Sequence, residues 1–201
     1  MEKRRSFKEE FSLMAILLIP VSIAINMVGF QIAQLLRLPI YLDTIGTIMI
    51  GMLAGPWVAA VAGLLTNMLN AIFNPVYLPY AFVSIAIGIA AGLLSKHKMM
   101  LKPWKVAISG VVLTLVSTII AAPITVILFG GVTGSTGSAI TAVFLTSGQK
   151  IWSAVFSSQF LTDFGDKVLS VVICYLIVKS MSSRYLSKLK YGQLYMRKSV
   201  R

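Results

Sequence analysis

Charge is scarce in this sequence, and acids scarcest of all. Only 12% of the 201 residues are charged, with 6 Asp and Glu against 18 Lys and Arg. Soluble chains carry about a quarter charged residues. With 57% hydrophobic residues and a mean hydropathy of +0.87, the composition excludes an ordinary soluble domain. Cysteine is nearly absent: Cys174 stands alone inside an apolar run, so no intrachain disulfide can form. The one histidine, His97, sits among lysines in SKHKMMLKPWK and reads as a solvated loop residue with no partner for a metal. No Walker motif, HExxH, Ser-His or Cys-His pairing or paired glutamate arrangement occurs, which leaves neither nucleotide hydrolysis nor an intramembrane enzyme a machinery to use. An inverted repeat of six-helix halves, the mark of large secondary transporters, is missing too.

What is present is organised around Leu42 to Asn74, LDTIGTIMIGMLAGPWVAAVAGLLTNMLNAIFN. It reads as two apolar spans folded back at Gly55-Pro56, with small residues at Gly46, Gly51, Gly55, Ala59, Ala60 and Gly63. Lipid tails are as apolar as leucine, so helices in a bilayer associate through close packing, which small residues permit. Further apolar runs lie on either side. The expectation is an all-α integral membrane protein with six transmembrane helices in one bundle, a single domain over 1–201. The spans fall at about 11–30, 42–54, 57–73, 80–94, 106–129 and 161–178, followed by a basic cytoplasmic tail over 179–201. Pro20 is expected to kink the first of them. Residues 130–160 read as a Gly/Ser/Thr-rich connection and a mildly amphipathic segment. With both termini and the 95–105 loop in the cytosol, all basic residues but Arg37, Lys150 and Lys167 lie inside, as the positive-inside rule requires. That distribution, beside apolar spans rather than on a soluble aromatic-interleaved surface, argues for a lipid bilayer and against nucleic acid.

Polar residues near the outer ends of the spans carry the functional reading. Asp43 in LDTIG is placed to cap the second helix, and Asp163 and Asp166 to begin the sixth, with Lys167 or Lys150 as ion partners. The inventory there is richer than capping needs: Arg37, Tyr41, Asp43, Asn70, Asn74, Tyr77, Tyr80, Gln149, Lys150, Trp152, Gln159 and Asp163. Aromatic rings with a few convergent hydrogen-bonding groups are what a small-molecule pocket requires. An interfacial belt, using Tyr77, Tyr80 and Trp152 only as anchors, is the competing reading. Six spans, an outside pocket and no energy source of its own suggest a binding subunit that needs partners.

With its small-residue run into Gly-Pro, LDTIGTIMIGMLAGPWVAAVAGLLTNML resembles the substrate-binding S components of energy-coupling factor (ECF) transporters, and the likeness extends over nearly the whole chain. The resemblance implies a vitamin bound on the outer side, a membrane scaffold subunit, two cytosolic ATPases, and a bacterial cell-membrane location. It also implies a scaffold contact on the first helix, for which Ser12, Ala15, Ser22 and Ala24 are the candidates. No cofactor is expected. A metal substrate is disfavoured because the N-terminus is not rich in His and Met. Acids, amides and aromatics suit a hydroxylated heteroaromatic ring such as pyridoxine or hydroxymethylpyrimidine, while Arg37 and Lys150 keep pantothenate as the alternative. A membrane sensor or assembly module that binds no solute is the rival of a different class.

Overall fold

The computed structural model describes residues 10–196; the charged residues 1–9 and the end of the tail, 197–201, lie outside them. The described residues are helical, without a strand. In order they form α1 (Leu13–Leu35), α2 (Ile45–Ala54), α3 (Pro56–Phe73), α4 (Ala81–Lys96), α5 (Pro103–Phe129), α6 (Thr136–Thr146), α7 (Ile151–Ser180) and the single turn α8 (Ser183–Leu186). Three of them, α1, α3 and α5, are long and apolar enough to cross a membrane. Large apolar side chains such as Leu17, Ile72, Ile119, Ile127 and Leu176 are exposed, as suits a protein whose surroundings are lipid.

α2 is the centre of the molecule. All ten of its residues are buried, and α1, α3, α4 and α7 all pack on it. At about 1.5 Å per residue its ten residues cover about 15 Å, half of a hydrocarbon core. The reading of 42–54 as a full span thus meets a half-length helix approached by an extended loop over 36–44. Small residues let the neighbours in: a Cβ at Gly46 would stand 2.1 Å from the Ser22 carbonyl oxygen of α1, and one at Gly92 would stand 2.3 Å from the Pro56 nitrogen of α3. At the α2–α3 turn Gly55 has φ 111°, a conformation open to glycine, and Pro56 begins α3 where its missing N–H is not needed.

The N-terminus of α2 is capped from another helix. Its N-cap residue, Thr44, makes no side-chain cap bond, and Asp43 does not cap it either. The acceptor is Asn26 of α1, whose Oδ1 receives the Gly46 and Thr47 N–H groups at 2.7 and 3.3 Å. Its Nδ2 donates to Thr47 Oγ1 and, at 3.0 Å, to Thr66 Oγ1 of α3. One wholly buried amide therefore ties three helices together. α1 is continuous through Pro20, and α5 through Pro123.

Further segments differ from their expected form, α6 among them, a helix within the Gly/Ser/Thr-rich stretch. α7 is one helix of 30 residues and takes in most of the mildly amphipathic segment that precedes the expected sixth span. Asp163 and Asp166 accordingly sit halfway along it, not at its start. The described part of the basic tail does not simply trail from α7 but folds back under the α2–α3 turn. Leu186, Leu189 and Tyr191 are buried. The Tyr191 N–H donates to the Leu53 carbonyl at 3.1 Å, and its hydroxyl donates to Glu10 Oε1 at 3.0 Å. Glu10 Oε2 accepts the Trp57 N–H, and the Tyr195 hydroxyl pairs with Ser95 Oγ at 2.7 Å. Tyr191→Phe removes a buried bond to a charged acceptor and is expected to cost about 1.5–3 kcal/mol, read as a lower unfolding midpoint in detergent.

Candidate functional site

A cavity of about 70 Å³, several times the room one water needs, opens among the 36–44 loop, the α3–α4 connection and α3 to α7. Each wall owes its polarity to a helix face. On α7, Gln159, Asp163 and Lys167 recur every fourth residue and so share a stripe. On α5, Ser117, Ala121 and Thr125 do the same. α6 and the segment before it bring Thr133, Ser135, Ser138 and Thr141; α3 and α4 bring Asn67 and Ser84, which bond each other at 2.5 Å. Phe30, Tyr41, Tyr77 and Tyr80 supply the rings.

Four charged groups meet at one side. Lys167, 2% exposed, pairs with the fully buried Asp166 and donates to Thr44 Oγ1 at 3.3 Å. The second Asp166 oxygen accepts the Leu42 N–H at 2.7 Å. Leu42 is in the left-handed region at φ 53°, uncommon for a side chain of its size, and this bond fixes the loop there. Asp43 lies 3.9 Å from the Lys167 ammonium, too far for a hydrogen bond, and its Oδ1 is buried with no hydrogen-bond partner. Asp163 accepts from Thr118 Oγ1 at 3.2 Å and from Gln159 Nε2 at 3.5 Å. Burial pushes the Asp43 carboxyl above the ordinary carboxylate value, against the pull of the Lys167 ammonium. Burial, with Asp163 adding to it, also raises the Tyr41 phenol far above its ordinary value and keeps it a neutral donor.

Of the residues singled out from sequence, Tyr41, Asp43, Tyr77, Tyr80, Gln159 and Asp163 line this cavity. Tyr80 is held by a 2.7 Å bond to Thr125 and by stacking on Phe129, so it serves as more than a surface anchor. The structure keeps the six others apart from the cavity walls. Arg37 and Lys150 are exposed. Asn70 is buried on α3 outside the walls. Asn74 caps the turn that follows α3, accepting the Val76 N–H at 3.1 Å. Trp152 is 47% exposed and stacks on Phe156, a position that suits an interfacial anchor. Gln149 is likewise exposed and bonds Ser153. On α1, Ala15 and Ser22 face inward and are buried within the bundle, Ser12 caps its own helix, and Ala24 is exposed. Lys167 is the principal residue that sequence reasoning left out of the site. The stripe Gln159, Asp163, Asp166, Lys167, Ser170 would have revealed it, had 151–180 been read as one helix.

Polar groups of several kinds, set among aromatic rings and walled by helices, can hold a small hydroxylated solute. A family model described as ECF transporter, substrate-specific component, matches residues 14–178. The chain belongs to that family. It is thus a membrane protein and a non-catalytic, substrate-binding subunit of ECF transporters. Comparison with curated proteins and with solved structures found no match. The family match spans all the helices that build the cavity, from α1 to the last residues of α7.

Proposed function

We propose that this S component takes up a water-soluble vitamin or precursor with a hydroxylated heteroaromatic ring, of the pyridoxine or hydroxymethylpyrimidine kind, from the outer side of a bacterial cell membrane. A membrane scaffold subunit and two cytosolic ATPases supply the motor. In this reading the chain crosses the bilayer with six helical segments, the short α2 among them, and keeps both ends in the cytosol. The observation that carries the solute class is the cavity wall: two carboxylates, two amides and eight hydroxyl-bearing Ser and Thr side chains beside four aromatic rings. Ring faces recognise a flat heterocycle, and the polar groups recognise its substituents. Pantothenate, the alternative, loses its main support because Arg37 and Lys150 stand outside the walls.

Calorimetric titration of the purified protein tests this. The three tryptophans, Trp57, Trp104 and Trp152, are all partly exposed and outside the cavity walls, so heat is a better readout than their fluorescence. Saturable one-to-one binding of pyridoxine or hydroxymethylpyrimidine is expected. Asp163→Asn is expected to weaken it by roughly tenfold to a hundredfold, the equivalent of one charge-assisted hydrogen bond. Trp152→Ala should leave affinity within about twofold of wild type. Saturation by pantothenate alone would transfer the assignment to that vitamin. Silence toward every vitamin would favour a sensor or assembly module.

A further inference from the structure

The ionised groups at the cavity do not balance. Lys167 and Asp166 form a neutral pair, with the Asp166 oxygens bound by that ammonium and by the Leu42 N–H. Asp43 and Asp163 remain, and both face the cavity. Asp43 Oδ1 is buried with no hydrogen-bond partner. Asp163, 1% exposed, is held by the hydroxyls of Ser117 and Thr118 and by a long amide contact from Gln159. Among the described residues no Lys, Arg or His lines the cavity apart from Lys167. A buried carboxylate, Asp163, and a second, Asp43, whose Oδ1 is buried although a quarter of its side chain is exposed, share one already engaged cation, an arrangement that a counter-charge in the cavity stabilises.

We propose that the solute supplies it: the ligand carries a positively charged nitrogen, a protonated amine or a cationic ring, received by Asp43 and Asp163. This rests on reading the cavity as the substrate site, and narrows the solute to a cationic, hydroxylated ring. Charge-assisted bonds to two carboxylates are about twice as strong as neutral ones. Tyr41, Tyr77 and Tyr80 stand in the same wall, and a cation seated over a tyrosine ring gains further attraction. An anionic solute would instead meet two like charges.

The test uses the full chain in detergent and five probes by calorimetry. Pyridoxamine, pyridoxine and 4-pyridoxate share one ring and differ at one carbon, which bears an ammonium, an alcohol or a carboxylate. Thiamine and pantothenate form a second pair of opposite charge, independent of that ring. The expected result is that pyridoxamine binds at least about tenfold more tightly than its two analogues, or thiamine than pantothenate, since one added charge-assisted bond is worth about a factor of ten. Asp43→Asn and Asp163→Asn should each erase most of that preference while the thermal midpoint shows the protein folded. If either variant does not fold, the wild-type preference decides alone. Pyridoxine, 4-pyridoxate or pantothenate bound as tightly as the cations would overturn the charge assignment and leave the solute-binding role standing. No binding of any probe by folded protein would overturn both.

Discussion

Replacing Lys167 with methionine is expected to cost about 3–5 kcal/mol of stability, because it strands the Asp166 carboxylate in the interior without its cation. Asp166 is fully buried and Lys167 is 2% exposed, so each relies on the other rather than on bulk water. The effect should reach the loop as well. Asp166 also accepts the Leu42 N–H, and Lys167 also holds Thr44, so the pair fixes the chain on both sides of Asp43. Unfolding in mixed micelles with increasing denaturing detergent reads the loss. The double variant Lys167→Met with Asp166→Asn should recover a large part of it, since both charges then leave together. A single Lys167→Met variant within 1 kcal/mol of wild type, on the order of an ordinary surface substitution, would mean that the pair does not hold the loop.

Asn26→Ala is the second large effect. It leaves the Gly46 and Thr47 N–H groups at the start of α2 with no acceptor and takes the amide donor from Thr47 and Thr66. A buried donor left unsatisfied costs about 1–3 kcal/mol, so a loss of about 2–4 kcal/mol is expected. Hydrogen exchange localises it: Gly46 and Thr47 should lose protection first, as the capping bonds that hold the first turn of α2 are gone. Met68→Ala, at a half-exposed site on α3, should change stability by less than about 0.5 kcal/mol.

Both effects lie at residues whose roles were differently visible in the sequence. Composition and small-residue spacing identified a helical membrane protein and its tight centre, because both follow from the bilayer as solvent. The glycines at 46, 51, 63, 88 and 92 do sit where helices touch. The trans-acting cap was not legible, since a local pattern such as LDTIG points to the acid beside the helix, whereas Asn26 is about twenty residues away. α7 was misjudged for a related reason. Three serines and a glutamine in IWSAVFSSQF lowered the hydropathy of its first ten residues, and the cut at 161 separated Gln159 from Asp163, Asp166 and Lys167. α6 was hidden by its Gly/Ser/Thr-rich approach, although Ala139 to Leu145 is apolar enough to pack. For the cavity, aromatic and acidic residues were visible as types. The small hydroxyls that make up most of its polar wall were not, because Ser and Thr on buried helix faces serve equally well as packing residues.

The central claim is that the hollow among the 36–44 loop and α3 to α7 is the solute site of this S component. A structure determined with bound solute tests it most directly. Solute density is expected against Asp43, Tyr80, Gln159 and Asp163, with Lys167 still paired to Asp166. Solute bound elsewhere on the chain, with that hollow filled by the protein's own side chains, would contradict it.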